Sequence, residues 1–597
     1  MIRILDKIKS YSLSSINMKF LKNLKMRSRC EINLFYKIFF FVSFLLFYSC
    51  EKGLDLSSQT SYSESTFFTT VDQFELFANQ FYYYLPVVGR NNDRDIYSDI
   101  VAARTTNTIS NGSYYATEES DTWDDAYTYI RNTTYLIQKG DEVNADLKEE
   151  AQIYIGEAKF FRAFSYFNLF RDFGGVPIID KVLDLDDDEL FGARNSREEV
   201  VNFILNDLEE AIDVLPVESA IAEGDKGRVS KGAALALKAR ISLFEGTWRK
   251  FRENDGYEEL LDEAIDASNQ IIESGEYELF DRRDVLGDES YKYFFILDKV
   301  QSNTAGLTKV DQSEYILRNR YDESIRKQST VSTNSLPNPT KKFADMFLCT
   351  DGLPIDKSTL YQGKLTVTSE FENRDLRMEN IFVKHGDQLW ESQPAENCRD
   401  WTDPAIGGWT ASLTFGTYTL SGYMENKFNP EILSPSMDYP VIRYAEVLLI
   451  NAEALYERNG FITDAQLDLT INMLRERAGV ANLSNNFASA NNLDLQTEIR
   501  KERTIELFME GQRYDDLRRW KTAEIEMPQS LLGVLWKGTQ FETDPEWEDV
   551  FYSLDNDGYI IIEDASERTF EEKHYLMPLP TRQILLNSQL EQNAGWE

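Results

Sequence analysis

Histidine is almost missing from this chain: its 597 residues include only His385 and His574, beside four cysteines. Zinc sites and Ser-His-Asp or Cys-His catalysis depend on these side chains, so that chemistry has little raw material. Neither a metal nor another cofactor is expected. Positive charge is scarce as well, with 63 Lys and Arg against 101 Asp and Glu and a net charge of −38. Nucleic-acid affinity rests on cationic side chains that displace counterions, which excludes nucleic acid as a natural partner. The run "FFFVSFLLFYSC" at 39–50 is too short to span a membrane: the uncharged stretch from Ile38 to Tyr48 has eleven residues, and a bilayer core asks for about twenty. No long Pro/Gly/Ser linker divides the chain, and an aromatic content of 13% suits a large packed body.

What the apolar run does have is the form of an export signal. It follows Arg27, Arg29 and Lys37, ends on the small residue Ser49 and stops at Cys50. A cysteine directly after such a core resembles a bacterial lipoprotein site, where the signal is cleaved and the cysteine acylated. Residues 1–49 are therefore expected to be removed, Cys50 to carry lipid, and 50–65 to act as a tether. A secreted protein with an incidental cysteine is the plainer alternative. Cleavage would take nine basic and two acidic residues, moving the net charge from −38 to −45. Export permits a bridge between Cys349 and Cys398; two separate buried thiols are the other possibility.

Beyond the tether the pattern is mainly helical. Apolar residues recur at three- and four-residue spacing over 69–85, 121–139, 196–214, 229–248, 257–273, 441–459, 463–478 and 495–520. The segment "EAQIYIGEAKFFRAFSYFNLFRDFGGVP" at 150–177 is apolar on nearly every face, which predicts a buried helix ended by Gly174 or Gly175 before Pro177. Ala233, Ala234, Ala236 and Ala239, and likewise Ala445, Ala452 and Ala454, are small enough for helices to pair closely. The helix–Gly460–helix unit has the size of a tetratricopeptide repeat. The expected organisation is a helical part at 66–280, a loop-rich lobe with short strands at 281–436, including "WTASLTFGTYTL" at 409–420, and a second helical part with a closing hairpin and tail at 437–597. The hairpin would turn at Asp557-Gly558.

Seven blocks appear in an order that resembles SusD/RagB outer-membrane nutrient-binding lipoproteins of Bacteroidetes. They are "GEAKFFRAFSYFNLFRDFGGVPII", "TDGLPI", "ENRDLRM", "YPVIRYAEVLLINAEAL", "INMLRERAGV", "IRKERTIELFMEGQRYDDLRRW" and "YLMPLP...QNAGW". The resemblance implies a lipid-anchored, surface-exposed protein of the cell outer membrane, built on tetratricopeptide-like helix pairs with a variable lobe. It also implies a non-catalytic role: capture of an oligosaccharide, or in some members a peptide, for a SusC-like TonB-dependent β-barrel transporter. An exported glycoside hydrolase, which needs two carboxylates across a cleft, and an envelope scaffold are the alternatives.

The family blocks read as structural. Arg503 with Glu506, and Arg513 with Asp516, are spaced to pair along one helix, and Arg162 is expected to be paired internally. Trp123 and Trp520 lie in predicted helices and read as packing. A sugar site wants aromatic faces beside hydrogen-bonding edges. The loop "VVGRNNDRDIYSDIVAARTTNTISNGSYY" offers Arg90, Asn91, Asp95, Tyr97, Tyr114 and Tyr115; the lobe offers Trp390, Asp400, Trp401 and Trp409. The acidic run "DLDDDEL" at 184–190 lacks the glycine and twelfth-position acid of a calcium loop and reads as a solvated turn.

Overall fold

A computed structural model describes residues 67–87, 94–103, 105–327, 338–383, 419–430, 436–545 and 551–597. Helices dominate. They are α1 (Val71–Ala78), α2 (Asp121–Glu142), α3 (Ala145–Phe173), α4 (Arg197–Val214), α5 (Lys231–Lys250), α6 (Tyr257–Ser274), α7 (Tyr444–Asn459), α8 (Ile471–Arg477), α9 (Leu495–Glu506) and α10 (Arg513–Arg519), with shorter helical turns between them. Consecutive helices pack on one another, α2 on α3, α3 on α4, α5 on α6 and α6 on α7, so that each apolar stripe finds a partner. The alanines of α5 and α7 are fully buried at these contacts.

Helix α3 is the centre of this stack. Phe160, Phe161, Phe164, Phe167 and Phe170 are all buried, each contributing about 1.5–3 kcal/mol of transfer free energy. The Asn144 side chain caps its first turn by accepting from Leu147 N. The chain leaves α3 through Gly174 at φ +77°, ψ −131°, a conformation open essentially to glycine alone. At Gly175 a Cβ would lie 2.2 Å from the Asn195 carbonyl oxygen, so glycine is also required for chain crossing. The C-terminal tail closes over this exit: Asn593 Nδ2 donates to the carbonyls of Phe173 (3.1 Å) and Met577 (2.7 Å).

Two helices expected to be continuous are broken. Within 463–478, Thr470 turns its hydroxyl back onto the Gln466 carbonyl at 2.6 Å. This competes with the helical ladder, and a short turn at Asp464–Asp468 is separated from α8. The 495–520 segment folds as α9, a reversal at 507–512, and α10. Met509 and Gly511 take left-handed backbone angles there, φ +58° and +75°. Asp95, more than four hundred residues earlier, fixes the reversal: its carboxylate accepts Met509 N at 2.7 Å and Arg513 N at 2.9 Å.

The reversal also changes the ion pairs. Arg503 bonds Asp516 across it at 2.9 Å, while Arg513 forks onto Asp99 at 2.9 and 2.8 Å. Glu506 gathers Arg377, Arg443 and Arg477 at 2.6–2.8 Å. The pairing is internal, as read from the sequence, but these partners come from separate segments. Arg162 forks onto Asp207 with two 2.7 Å bonds, and Trp123 and Trp520 are buried.

The lobe joins the helical body through small antiparallel ladders. Strand β1 (Val101–Ala102) pairs with β3 (Asn338–Pro339), and β2 (Tyr315–Asn319) pairs with β4 (Tyr439–Arg443) in the register Tyr315↔Arg443 to Asn319↔Tyr439. Strand β5 (Leu531–Leu535) pairs with β6 (Tyr559–Glu563). The Asp557-Gly558 turn forms, with Leu554 bridged to Ile560, while the ladder of β6 is made with β5. Lobe aromatics share one core with the α9–α10 reversal, where the Phe343 and Phe508 rings stack at 4.1 Å. Cys349 is buried; Cys50, Cys398 and residues 409–418 lie outside the described residues.

Candidate functional site

The α2–α3 pair opens, where it meets 83–87, 425–428, β4 and the 509–512 reversal, into a cleft of about 510 Å³. Both helices present a stripe at i, i+3, i+4 and i+7 to it: Thr122, Asp125, Ala126 and Tyr129 from α2, and Phe164, Phe167, Asn168 and Arg171 from α3. These are the positions that elsewhere in the stack face a neighbouring helix. Here polar side chains interrupt the apolar stripe.

One wall is aromatic. Tyr84 and Tyr129 stack with ring centres 3.7 Å apart and planes 14° from parallel, and Asn132 Nδ2 donates to the Tyr84 hydroxyl at 2.9 Å. Burial pushes the Tyr84 hydroxyl up to about 12, so it stays protonated as a donor. Tyr83, at 65% exposure, stands at the rim with the Arg326 guanidinium 4.6 Å from its ring centre. Tyr97, Phe428 and Tyr439 complete the apolar surface.

The floor is ionic. Arg94 forks onto Asp172 at 3.1 and 2.7 Å and reaches Asp515 at 2.8 Å, and Arg518 meets the same two carboxylates at 3.2 and 2.6 Å. Arg240 forks onto Glu446, and Lys427 bonds Glu510 at 2.7 Å. Burial alone would raise Asp172 and Glu510, yet the adjacent cations hold both below the ordinary carboxylate range. Neither can hold a proton at neutral pH, and neither suits general-acid work. Among the described residues no His, Cys, Asp or Glu cluster could hold a metal ion, and no helix is long and apolar enough to cross a membrane.

Of the residues singled out in the sequence, Tyr97 lines the cleft. Asp95 is completely buried and serves the reversal described above, so it does not present a hydrogen-bonding edge to solvent. Tyr114 packs on the rings of His574 and Trp596 at 5.3 and 5.0 Å and is not part of the cleft lining; Tyr115 is 75% exposed beside it. Arg90, Asn91, Trp390, Asp400, Trp401 and Trp409 lie outside the described residues. Val87 and Arg94, which flank the 88–93 stretch carrying Arg90 and Asn91, both line the cleft. The sequence reading missed Tyr83, Tyr84, Tyr129, Asn168 and Arg171. A detectable signal was present in Asp125, Asn168 and Arg171, polar residues at stripe positions where a helix–helix contact would hold apolar ones.

Residues 302–596 match the profile of the SusD family, and residues 53–243 match a SusD-like profile described as starch-binding associating with outer membrane. A SusD-like protein of Formosa agariphila is 27% identical over 504 residues, covering 80% of this chain and 89% of that protein. A SusD-like protein of Bacteroides ovatus is 23% identical over 580 residues, covering 91% and 94%. The fold matches the crystal structure of a SusD-like carbohydrate binding protein from Bacteroides fragilis, with TM-score 0.69 at 22% identity over 88% of this chain and all of that one. It also matches a surface glycan-binding protein A from Bacteroides fluxus, with TM-score 0.54 at 18% identity over 90% and 100%. With the two profiles together spanning most of the chain, the protein belongs to the SusD family.

Proposed function

We propose that this protein captures an oligosaccharide in the cleft between α2, α3 and the lobe and passes it on chemically unchanged. The observation that carries this reading is the combination of the Tyr84–Tyr129 stack and exposed Tyr83 with the polar edge of Asn168 and Gln512 in one cleft of about 510 Å³. Sugar rings offer apolar C–H faces bordered by hydroxyls, and such a cleft serves both. Solved structures of the same fold, a carbohydrate binding protein and a surface glycan-binding protein, support the same ligand class. Asp172 and Glu510, held ionised, do not supply the protonated carboxyl that glycoside hydrolysis needs; Asp125 and Glu425 are the other carboxylates lining the cleft.

The cellular setting follows the sequence and the family description of outer-membrane association. Lipidated Cys50 would hold the protein at the outside face of the outer membrane, where it delivers ligand to a SusC-like TonB-dependent barrel. The loop residues Arg90, Asn91, Trp390, Asp400, Trp401 and Trp409 remain part of the proposed ligand surface.

Calorimetric titration of an oligosaccharide panel tests the reading, with Tyr129→Ala and Trp401→Ala as variants and product analysis after incubation. Saturable binding weakened by Tyr129→Ala is expected. Absence of binding to every saccharide, or release of cleavage products, refutes it. Co-purification with a large outer-membrane barrel, lost when Cys50 is changed to Ala and membrane attachment fails, tests the delivery step.

A further inference from the structure

At one end of the cleft, whose lining also carries Asp125, Glu425 and Glu510, the ion pairs are unevenly shared. Three guanidiniums, Arg94, Arg171 and Arg518, share two carboxylates, Asp172 and Asp515. Arg94 and Arg518 take the hydrogen bonds. Arg171 is left with contacts of 3.8 Å to Asp172 and 3.4 Å to Asp515, longer than a hydrogen bond, and its Nε, like those of Arg94 and Arg518, is buried with no hydrogen-bond partner. The other cations lining the cleft each have a carboxylate within hydrogen-bonding distance, as Arg240 has Glu446 and Lys427 has Glu510. Arg171 is only 17% exposed. Burial and the repulsion of Arg94 pull it down to about 10, whereas Arg94 and Arg518 are pushed up by the same carboxylates. It is still charged at neutral pH.

A buried cation short of partners is costly unless something neutralises it. From the helix stripe it faces the same cavity as the tyrosine wall. The planar fork of a guanidinium matches a carboxylate or a sulfate through two parallel bonds. We infer that the cleft selects saccharides bearing an anionic substituent, a uronate carboxylate or a sulfate ester, which docks on Arg171 while the ring lies toward Tyr84 and Tyr129. This rests on the reading of the cleft as a saccharide site. A net charge of −38 rules out nonspecific attraction as the cause of such a preference. Beyond about 8 Å, physiological salt screens the repulsion from the rest of the surface, so a local cation can act.

The test uses the full mature chain. Titrate it with oligogalacturonates and their methyl esters, with sulfated oligosaccharides and their desulfated forms, and with maltooligosaccharides as a neutral arm. Repeat with Arg171→Gln, which removes the surplus charge, and Arg171→Lys, which keeps the charge without the fork. At least one acidic ligand is expected to bind about tenfold or more tightly than its neutral form. That advantage should disappear in Arg171→Gln and shrink in Arg171→Lys. The acidic pair showing the preference identifies carboxylate or sulfate as the substituent. Because the esterified and desulfated ligands probe the unaltered protein, a variant that fails to fold does not remove the test. Binding of neutral and acidic forms with equal affinity, or an acid preference that survives in Arg171→Gln, overturns the inference and leaves saccharide capture standing. If no saccharide binds, both readings fall.

Discussion

Replacing Asp95 probes how a remote residue shapes the α9–α10 reversal. In Asp95→Ala the amides of Met509 and Arg513 lose acceptors at 2.7 and 2.9 Å inside a fully buried site. Each buried donor left without a partner costs about 1–3 kcal/mol, giving a combined loss of about 4 kcal/mol. Asp95→Asn keeps one acceptor oxygen and turns an amide donor toward the other N–H, so it should lose about half as much. The unit from Phe68 to Glu597 has roughly 530 residues. At about 2.1 cal/mol/K per residue its unfolding entropy is near 1.1 kcal/mol/K, so the melting temperature should fall by only about 4 °C. Hydrogen exchange is therefore the sharper assay. The Met509 and Arg513 amides should exchange faster by as much as about a thousandfold if the reversal opens locally, while amides in the middle of α3 stay protected. Unchanged melting together with unchanged exchange at both amides would show that the reversal is held by something else.

Three further outcomes follow from the same geometry. Asp207→Ala strands the Arg162 guanidinium inside α3 and should cost about 3–5 kcal/mol in denaturant unfolding, while Arg162→Met with Asp207→Leu should recover most of it. Burial would raise Glu453, but the fork from Arg519 and the Trp520 Nε1–H hold it down to about 2. A depressed carboxylate stabilises the fold above its unfolded value near 4.5 and loses that contribution as pH falls through about 2. Glu453→Gln should therefore remove about 3 kcal/mol at pH 7 and little at pH 2, measured by unfolding across that range. Tyr83→Ala, at an exposed rim position, should leave melting within about 1 °C of the parent and weaken saccharide binding about two- to tenfold, consistent with an aromatic contact worth about 0.5–1.5 kcal/mol.

How much was legible in the sequence depended on the distance over which each feature is decided. The α3 helix and its Gly174 stop follow from a local pattern, an apolar run closed by residues that cannot continue it, and tertiary packing reinforced both. The internal pairing of Arg162 followed from a charge embedded in that run, since such a charge must be neutralised wherever the helix is buried. By contrast, the break at 507–512 has no sufficient local cause. "IELFMEGQRYDDL" has helical periodicity, and it turns because a carboxylate from the other end of the chain binds two of its amides. The expected Arg503–Glu506 and Arg513–Asp516 pairs each stay within one helix, α9 and α10, but they are replaced because the reversal brings better-placed partners from other segments: Asp516 to Arg503, Asp99 to Arg513, and Arg377, Arg443 and Arg477 to Glu506.

The cleft shows the same division. Thr122, Asp125, Ala126 and Tyr129, with Phe164, Phe167, Asn168 and Arg171, have the spacing of any packed helix stripe, and only the polar identity of Asp125, Asn168 and Arg171 distinguishes a cavity from a contact. By itself the sequence determined helical content, the family blocks, the acidic balance and the scarcity of metal-binding side chains, because these depend on composition and near neighbours. Only the tertiary structure decided that one stripe of α2 and one of α3 line a cleft beside the lobe, that Asp95 is buried as a support of the reversal, and that Arg171, among the cations lining the cleft, has no carboxylate at hydrogen-bonding distance. Each of those depends on segments hundreds of residues apart competing for the same few hydrogen bonds.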